Sequence, residues 1–297
     1  MTVSGVSAAW RPEIARMLLD AAQAGEIGFT EVVAENLDPA ALPADLVALA
    51  ECGVTVIPHG VTLGLAGADL PDPGRLRRLA DLATAFGAPL VSEHVAFVRA
   101  GERGADDGDG PHGEVIERVL EAGHLMPAPR TAEALDVLVE NVRAAQAALP
   151  VPLALENIAA LFGWPEDEYD EPDYLAELVE RTGVGVVLDL ANLFASCVAR
   201  GLDPVTELRR YPLDAVVYLH IAGGRFDGAL YLDTHADPIR PEVLDLLAAW
   251  RDSQPSLGWK AAGGGPVPGV LLERDESVTE TAVRHEMLSL REVLGND

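Results

Sequence analysis

Val184–Gly223 reads VGVVLDLANLFASCVARGLDPVTELRRYPLDAVVYLHIAG. Two runs within it, Val184–Asn192 and Ala215–Gly223, are dense in β-branched and aliphatic residues and read as strands, with a helical pattern at Pro204–Arg209 between them. VGVVLDL and AVVYLHI are apolar on both faces, as expected of a parallel sheet with helices outside and packed side chains inside. Each run ends in polar groups, Asp189 and Asn192 in the first and His220 in the second.

The same rhythm extends in both directions. Further strand candidates are a weak Val3–Ser7, then Thr30–Asn36, Val54–Gly60, Pro89–Ala96, Pro152–Ala159 and Gly269–Asp275. Ala/Leu-rich amphipathic patterns cover about Pro12–Ala24, Ala40–Glu51, Pro73–Phe86, Thr131–Leu149, Pro172–Thr182, Arg240–Trp250 and Val278–Val293. Eight strands alternating with eight helices predict an α/β fold, a (β/α)8 TIM barrel, while alternation alone leaves an open doubly wound sheet as the alternative. The expected organisation is one barrel domain over residues 1–297, with an acidic loop insertion at about 99–130. Within that insertion Arg99–His112, RAGERGADDGDGPH, reads as a mobile loop. Gln254–Pro268, which carries the sole lysine, Lys260, reads as a loop leading into the last strand.

Composition narrows the function. With 48 acidic against 21 basic residues the formal net charge is −27, which repels phosphate backbones and anionic lipid, so neither nucleic acid nor membrane is expected as a partner. The two cysteines, Cys52 and Cys197, stand far apart without a CxxC, which excludes a disulfide scaffold and a thiolate-rich metal site. The opening MTVSGVSAAWRPEIARM lacks the apolar run of a signal peptide, and no stretch of eighteen apolar residues occurs, so a cytoplasmic protein is expected.

Four of the seven histidines fall at or just after strand ends: His59, His94, His220 and His235. Carboxylates accompany them, with Glu93 beside His94, then Glu156, Asp189, Asp233 and Glu273. In a barrel these positions converge on the C-terminal mouth, where active sites form. Buried carboxylates so crowded repel one another unless cations neutralise them, and imidazole with carboxylate is the ligand mix of Fe, Mn or Zn. Asp233 and His235 alternate along an extended segment, so both reach one ion; Asp189 and Asn192 point into one pocket where strand gives way to helix. These ligands are too many for one ion. His112 and His285 read as solvent residues, and His124 has no assigned role.

HGV at His59, SEH at Glu93–His94, LENI at Glu156–Asn157, D-x-x-N at Asp189–Asn192, HIAG at His220, DTH at Asp233–His235 and LERD at Glu273 form an ordered set. FTEVVAEN near the start and PAPRTAEAL at Pro127–Leu135 belong to the same set. From about Gly28 to Asp275 the chain resembles the multinuclear non-heme iron-dependent oxidases, long catalogued as a family of unknown function. The resemblance implies a barrel similar to xylose isomerase and endonuclease IV, holding two or three iron ions as Fe2+/Fe3+, with O2 as co-substrate. It implies modification of a residue, commonly cysteine, in a ribosomally made precursor peptide, which a small partner protein often delivers. Carried over, the metal shell is His59, His94, Glu156, Asp189, Asn192, His220, Asp233, His235 and Glu273. Glu156 and Glu273 would bridge ions, and Asp233 and His235 would share one.

Two departures stand out. Where the family commonly has HLAGH this chain has HIAGG, ending at Gly224, and where it has DVNN followed by NHG this chain has DLANLFASCVARG, with Ala191 and Arg200 at the polar positions. Two rival readings use the same residues: a Zn- or Mn-dependent sugar isomerase or hydrolase, and a noncatalytic metal-binding scaffold.

Overall fold

A computed structural model describes residues 3–102, 118–253 and 268–295. Its strands are β1 (Val6–Ala8), β2 (Phe29–Val33), β3 (Thr55–His59), β4 (Val91–His94), β5 (Phe97–Glu102), β6 (Arg118–Met126), β7 (Leu153–Glu156), β8 (Gly185–Asp189), β9 (Val216–Ala222), β10 (Gly224–Asp227), β11 (Leu230–Asp233) and β12 (Gly269–Glu273). The helices are α1 (Ala15–Gln23), α2 (Ala44–Glu51), α3 (Pro73–Phe86), α4 (Ala132–Ala148), α5 (Glu171–Thr182), α6 (Leu190–Arg200), α7 (Pro204–Leu208), α8 (Pro241–Ser253) and α9 (Glu280–Leu294). Several start on acidic caps: Asp72, Asp170 and Asp203 each accept a backbone N–H of the first turn, which gives part of the negative charge a structural task. No described helix is long and apolar enough to cross a membrane.

Eight parallel strands form one sheet in the order β1-β12-β9-β8-β7-β4-β3-β2, so the first two strands end up side by side and the barrel is nearly closed. At the seam no ladder joins β1 to β2. Thr30 Oγ1 instead donates to the Ala8 carbonyl at 2.8 Å, Ser7 Oγ donates to the Phe29 carbonyl, and just beyond, Trp10 N–H reaches the Glu31 carbonyl at 2.8 Å.

Two sequence expectations need correction. The run Val184–Asn192 is strand only to Asp189; Leu190–Asn192 already belongs to α6, because Asp189 caps that helix by accepting Asn192 N–H at 2.6 Å. The insertion begins as structure rather than loop: β5 and β6 pair antiparallel, and Arg99 Nη2 donates to the Leu63 carbonyl at 3.0 Å. His112 and Lys260 lie outside the described residues. A second antiparallel ribbon, β10–β11, follows β9 directly and has no counterpart in the strand–helix rhythm of the sequence.

Strand alternation accounts for both layers of the core. Val32, Val56, Val186, Leu188, Leu219, Ile221, Val270 and Leu272 pack with the helices in one continuous cluster. The intervening residues face the barrel interior, where Phe29, Ile57, Leu90, Ala154, Val187, Tyr218 and Leu271 form a separate apolar plug. Two residues further along each strand, on the same face, stand Glu31, His59, Ser92, Glu156, Asp189, His220 and Glu273, all buried. The inward face thus changes from apolar to polar within one pleat.

Because Thr30 is fully buried at the seam, Thr30→Val leaves the Ala8 carbonyl without that donor. Chemical denaturation should show a loss of about 1–3 kcal/mol, with the slope of the transition unchanged.

Candidate metal centre

The polar ring at the mouth divides into two groups of possible ligands. His59, His94 and Glu156 form one, and Glu156, Asp189, His220 and Glu273 the other; within each, one donor atom per residue lies within 4.8 Å of the rest. Glu156 belongs to both. Its Oε2 stands 3.6 Å from His59 Nε2, 3.4 Å from His94 Nε2 and 3.2 Å from His220 Nδ1. His220 Nδ1 is also 3.4 Å from Glu273 Oε2. One carboxylate oxygen therefore stands at the meeting point of three imidazoles.

The remaining expected residues sit at the rim. Asn192 Nδ2 donates to Glu156 Oε1 at 3.3 Å and to the Asn157 carbonyl at 3.0 Å, so the first turn of α6 is fastened to the end of β7. Asn157 completes the joint by exchanging both amide bonds with the Asp189 backbone. His235 Nε2 is 2.8 Å from Asp233 Oδ2, and its Nδ1 is 3.1 Å from Asp275 Oδ2 and 3.7 Å from Glu273 Oε2. The two side chains meet as expected, but not from an extended backbone. His235 has φ 51°, because its N–H turns back to the Gly223 carbonyl at 3.0 Å while its own carbonyl receives Asp275 N–H at 2.8 Å. Above the centre opens a cavity of about 490 Å³ lined by His94, Asn192, Asp233, His235 and, from β6, His124. His285 is exposed on α9, as expected.

Charge balance in this ring is unusual. Burial opposes a charged His94, yet Glu156 and Glu93 outweigh it and raise the ring to about 9. Burial likewise works against His220 and His235, while Glu156, Glu273 and Glu31 around the first and Asp233 and Asp275 around the second push both upward. Glu273 is held well below the usual carboxylate range despite its burial, mainly by His220. Asp189 goes the other way: burial, Asp233 and Glu156 push it well above that range. Burial raises Asp233 as well, so with protons as the sole cations two carboxylates of the mouth are driven towards neutrality.

Ligand-type atoms are also left without hydrogen-bond partners. His94 Nδ1, Glu156 Oε2, Asp189 Oδ2, His220 Nδ1, Asp233 Oδ1 and His235 Nδ1 are all buried in this condition. Buried polar atoms are normally satisfied; His94 Nδ1 faces Glu93, and the other five, gathered at the mouth, are what bound cations would satisfy.

Three residues that the sequence reading passed over, Glu31, Ser92 and Tyr218, support the ring together with Glu93, which it had placed beside His94. Glu31 Oε2 accepts from Tyr218 hydroxyl and lies 3.1 Å from His220 Nε2 and 3.4 Å from Ser92 Oγ. Ser92 Oγ is in turn 2.9 Å from His59 Nδ1. Glu93 sits beneath His94, taking Leu63 N–H at 2.9 Å and His94 N–H at 2.8 Å. The signal for Glu31 was a lone carboxylate in the apolar run FTEVV, two residues beyond Phe29 on the inward face.

The departures at Gly224, Ala191 and Arg200 have structural reasons. A Cβ at Gly224 would meet Tyr231 Oη at 2.5 Å and collide with the Leu232 carbonyl, so a buried tyrosine fills the space a larger residue would need. Ala191 is fully buried in the helix–barrel core, and Arg200 ends α6 at the surface.

Residues 5–294 match the family model described as RiPP precursor modification enzyme MbnB/TglH/ChrH. A UPF0276 protein of Streptomyces avermitilis is 49% identical over 292 residues, which is 98% of this chain but 55% of that relative, so the chain spans about half of its length. Among solved structures, D-psicose 3-epimerase from Clostridium cellulolyticum aligns with a TM-score of 0.58 at 14% identity, covering 99% of each chain. Endonuclease IV from Thermus thermophilus aligns with a TM-score of 0.58 at 17% identity, covering 100% of each chain. These two likenesses extend to the fold, a TIM barrel of parallel strands with helices outside. The ordered motifs and the near-complete match together establish that the chain belongs to the MbnB/TglH/ChrH family of RiPP precursor modification enzymes.

Proposed function

We propose that this chain is a multinuclear non-heme iron-dependent oxidase that uses O2 to modify a residue, cysteine, in a ribosomally made precursor peptide in the cytoplasm. The observation that carries the metal reading is Glu156 Oε2, orphaned, buried and shared by both ligand groups. His59 and His94 with Glu156 would hold one ion, and Asp189, His220 and Glu273 with Glu156 a second. Asn192, Asp233 and His235 complete the shell at the rim, where a third ion or the substrate would sit. Iron bound there supplies the redox equivalents and open positions for a thiolate and O2.

The chain's own residues supply the rest. Among the described residues the apolar plug fills the barrel below the ring, so the mouth cavity is the proposed route of the substrate to the centre. His94 lines that cavity and also rests against Glu156, so it lies between the substrate and the first ion site. A small delivery protein is the proposed partner for presenting the peptide. The likeness to the epimerases extends to the fold alone and favours no isomerase.

Elemental analysis and Mössbauer spectroscopy of anaerobically purified, iron-57-loaded protein should find at least two irons per chain. Zinc or manganese that iron loading does not displace would move the reading to a hydrolase or isomerase. Glu156→Gln should empty both sites, whereas His94→Ala should empty only the first; metal stoichiometry separates them.

Metal binding should strengthen with pH. His94 keeps its proton up to about 9 in the metal-free protein, so below that value a cation must displace it. Calorimetry with Zn2+ in buffers of different ionisation enthalpy should show proton release, with affinity rising towards pH 9. For the metal-free chain the sign reverses. Because the folded value is raised from 6.5 to about 9, the His94 contribution to stability is full below 6.5 and lost as pH rises through about 9. Urea midpoints of metal-free protein across that window should fall.

A further inference from the structure

On the reading of the mouth as a metal centre, we propose that Glu31 is a positioning residue. It selects which imidazole nitrogen of His220, and through Ser92 of His59, faces the ions. The two rings are used in opposite senses. His220 presents Nδ1 to Glu156 and Glu273, at 3.2 Å and 3.4 Å, while its Nε2 lies 3.1 Å from Glu31 Oε2. His59 presents Nε2 to Glu156 at 3.6 Å, while its Nδ1 lies 2.9 Å from Ser92 Oγ and 3.8 Å from Glu31 Oε1.

Glu31 Oε2 accepts from the Tyr218 hydroxyl, and as an acceptor it requires the proton of His220 on Nε2, which leaves Nδ1 as the ligating atom. Ser92 transmits the same demand. When its hydroxyl donates towards Glu31, its oxygen is left to accept Nδ1–H of His59, and Nε2 of that ring is free for an ion. Tyr218 hydroxyl, on Glu31 and 2.8 Å from Ser92 Oγ, ties the three groups together on the plug below. Among the described residues Glu31 has no arginine or lysine partner; its ion-pair contacts are His59 and His220 alone. His94 stands outside this arrangement, since its Nδ1 faces Glu93 Oε1 at 3.5 Å. It is the internal control.

The test is 15N NMR of histidine-labelled protein loaded with Zn2+, which is diamagnetic and reports the bound and protonated nitrogen of each ring without any substrate. The expected pattern is His220 bound through Nδ1 and His59 through Nε2. Glu31→Gln should mix the two modes at His220 and disturb His59, leave His94 unchanged, and weaken zinc about 10- to 100-fold. Ser92→Ala, a milder change, should disturb His59 alone. Zinc bound through Nε2 of His220, or ring signals unchanged in Glu31→Gln, would overturn the role of Glu31 and leave the metal reading standing. So would loss of one whole zinc ion in Glu31→Gln with His220 still bound through Nδ1, since Glu31 would then be a ligand itself. Absence of any zinc-dependent change at His59, His94 and His220 would overturn the metal reading as well.

Discussion

The electrostatics of the barrel interior govern this molecule. Glu31, Glu156, Asp189 and Glu273 are buried at one level, above a plug of Phe29, Ile57, Val187, Tyr218 and Leu271 that offers them no counter-charge, and Glu93 is buried beside His94. Taking such charges out of water costs several kcal/mol each unless they are paired. The imidazoles at the mouth are the cations the chain itself provides. Three of them, His94, His220 and His235, are pushed towards the protonated form by Glu156, Asp233 and Glu273 around them. Even so, Asp189 is driven towards neutrality, and six buried ligand-type atoms make no hydrogen bond. The ring is short of positive charge in a way that divalent cations repair.

Everything else positions that ring. The strand pleat sends Glu156, Asp189, His220 and Glu273 inward from four neighbouring strands, two residues beyond Ala154, Val187, Tyr218 and Leu271. Asp189 then ends its strand by capping α6, which brings Asn192 onto Glu156. The β10–β11 ribbon carries Asp233 back over the mouth, and the turn at His235 locks it against β12 through Asp275.

The barrel was legible in the sequence because its period is coarse: apolar strand, amphipathic helix, eight times. The expected ligands were legible because each sits where an apolar run stops. What escaped notice lacked such a boundary. Glu31 lies inside FTEVV and is one of 48 acidic residues, so only the inward-facing register singles it out. The antiparallel ribbons have no strand–helix rhythm, and β5 was hidden by the Gly/Asp-rich composition that follows it. Gly224 stood out in the sequence only as a departure from the family pattern, because the tyrosine that occupies its space stands on the other strand of the ribbon.

The seam between β1 and β2 bears on the centre itself. Where the other strands are zipped by backbone ladders, this junction hangs on hydroxyls from Ser7 and Thr30 and a single amide bond to the Glu31 carbonyl. Side-chain links break one at a time, whereas a ladder resists as a unit, so protection from amide hydrogen exchange should be weakest along this line of the barrel. The residue next to Thr30 is the carboxylate beneath His59 and His220. Breathing of the barrel is thus directed at the floor of the centre: the stave that opens most readily carries the group on which two of its imidazoles rest.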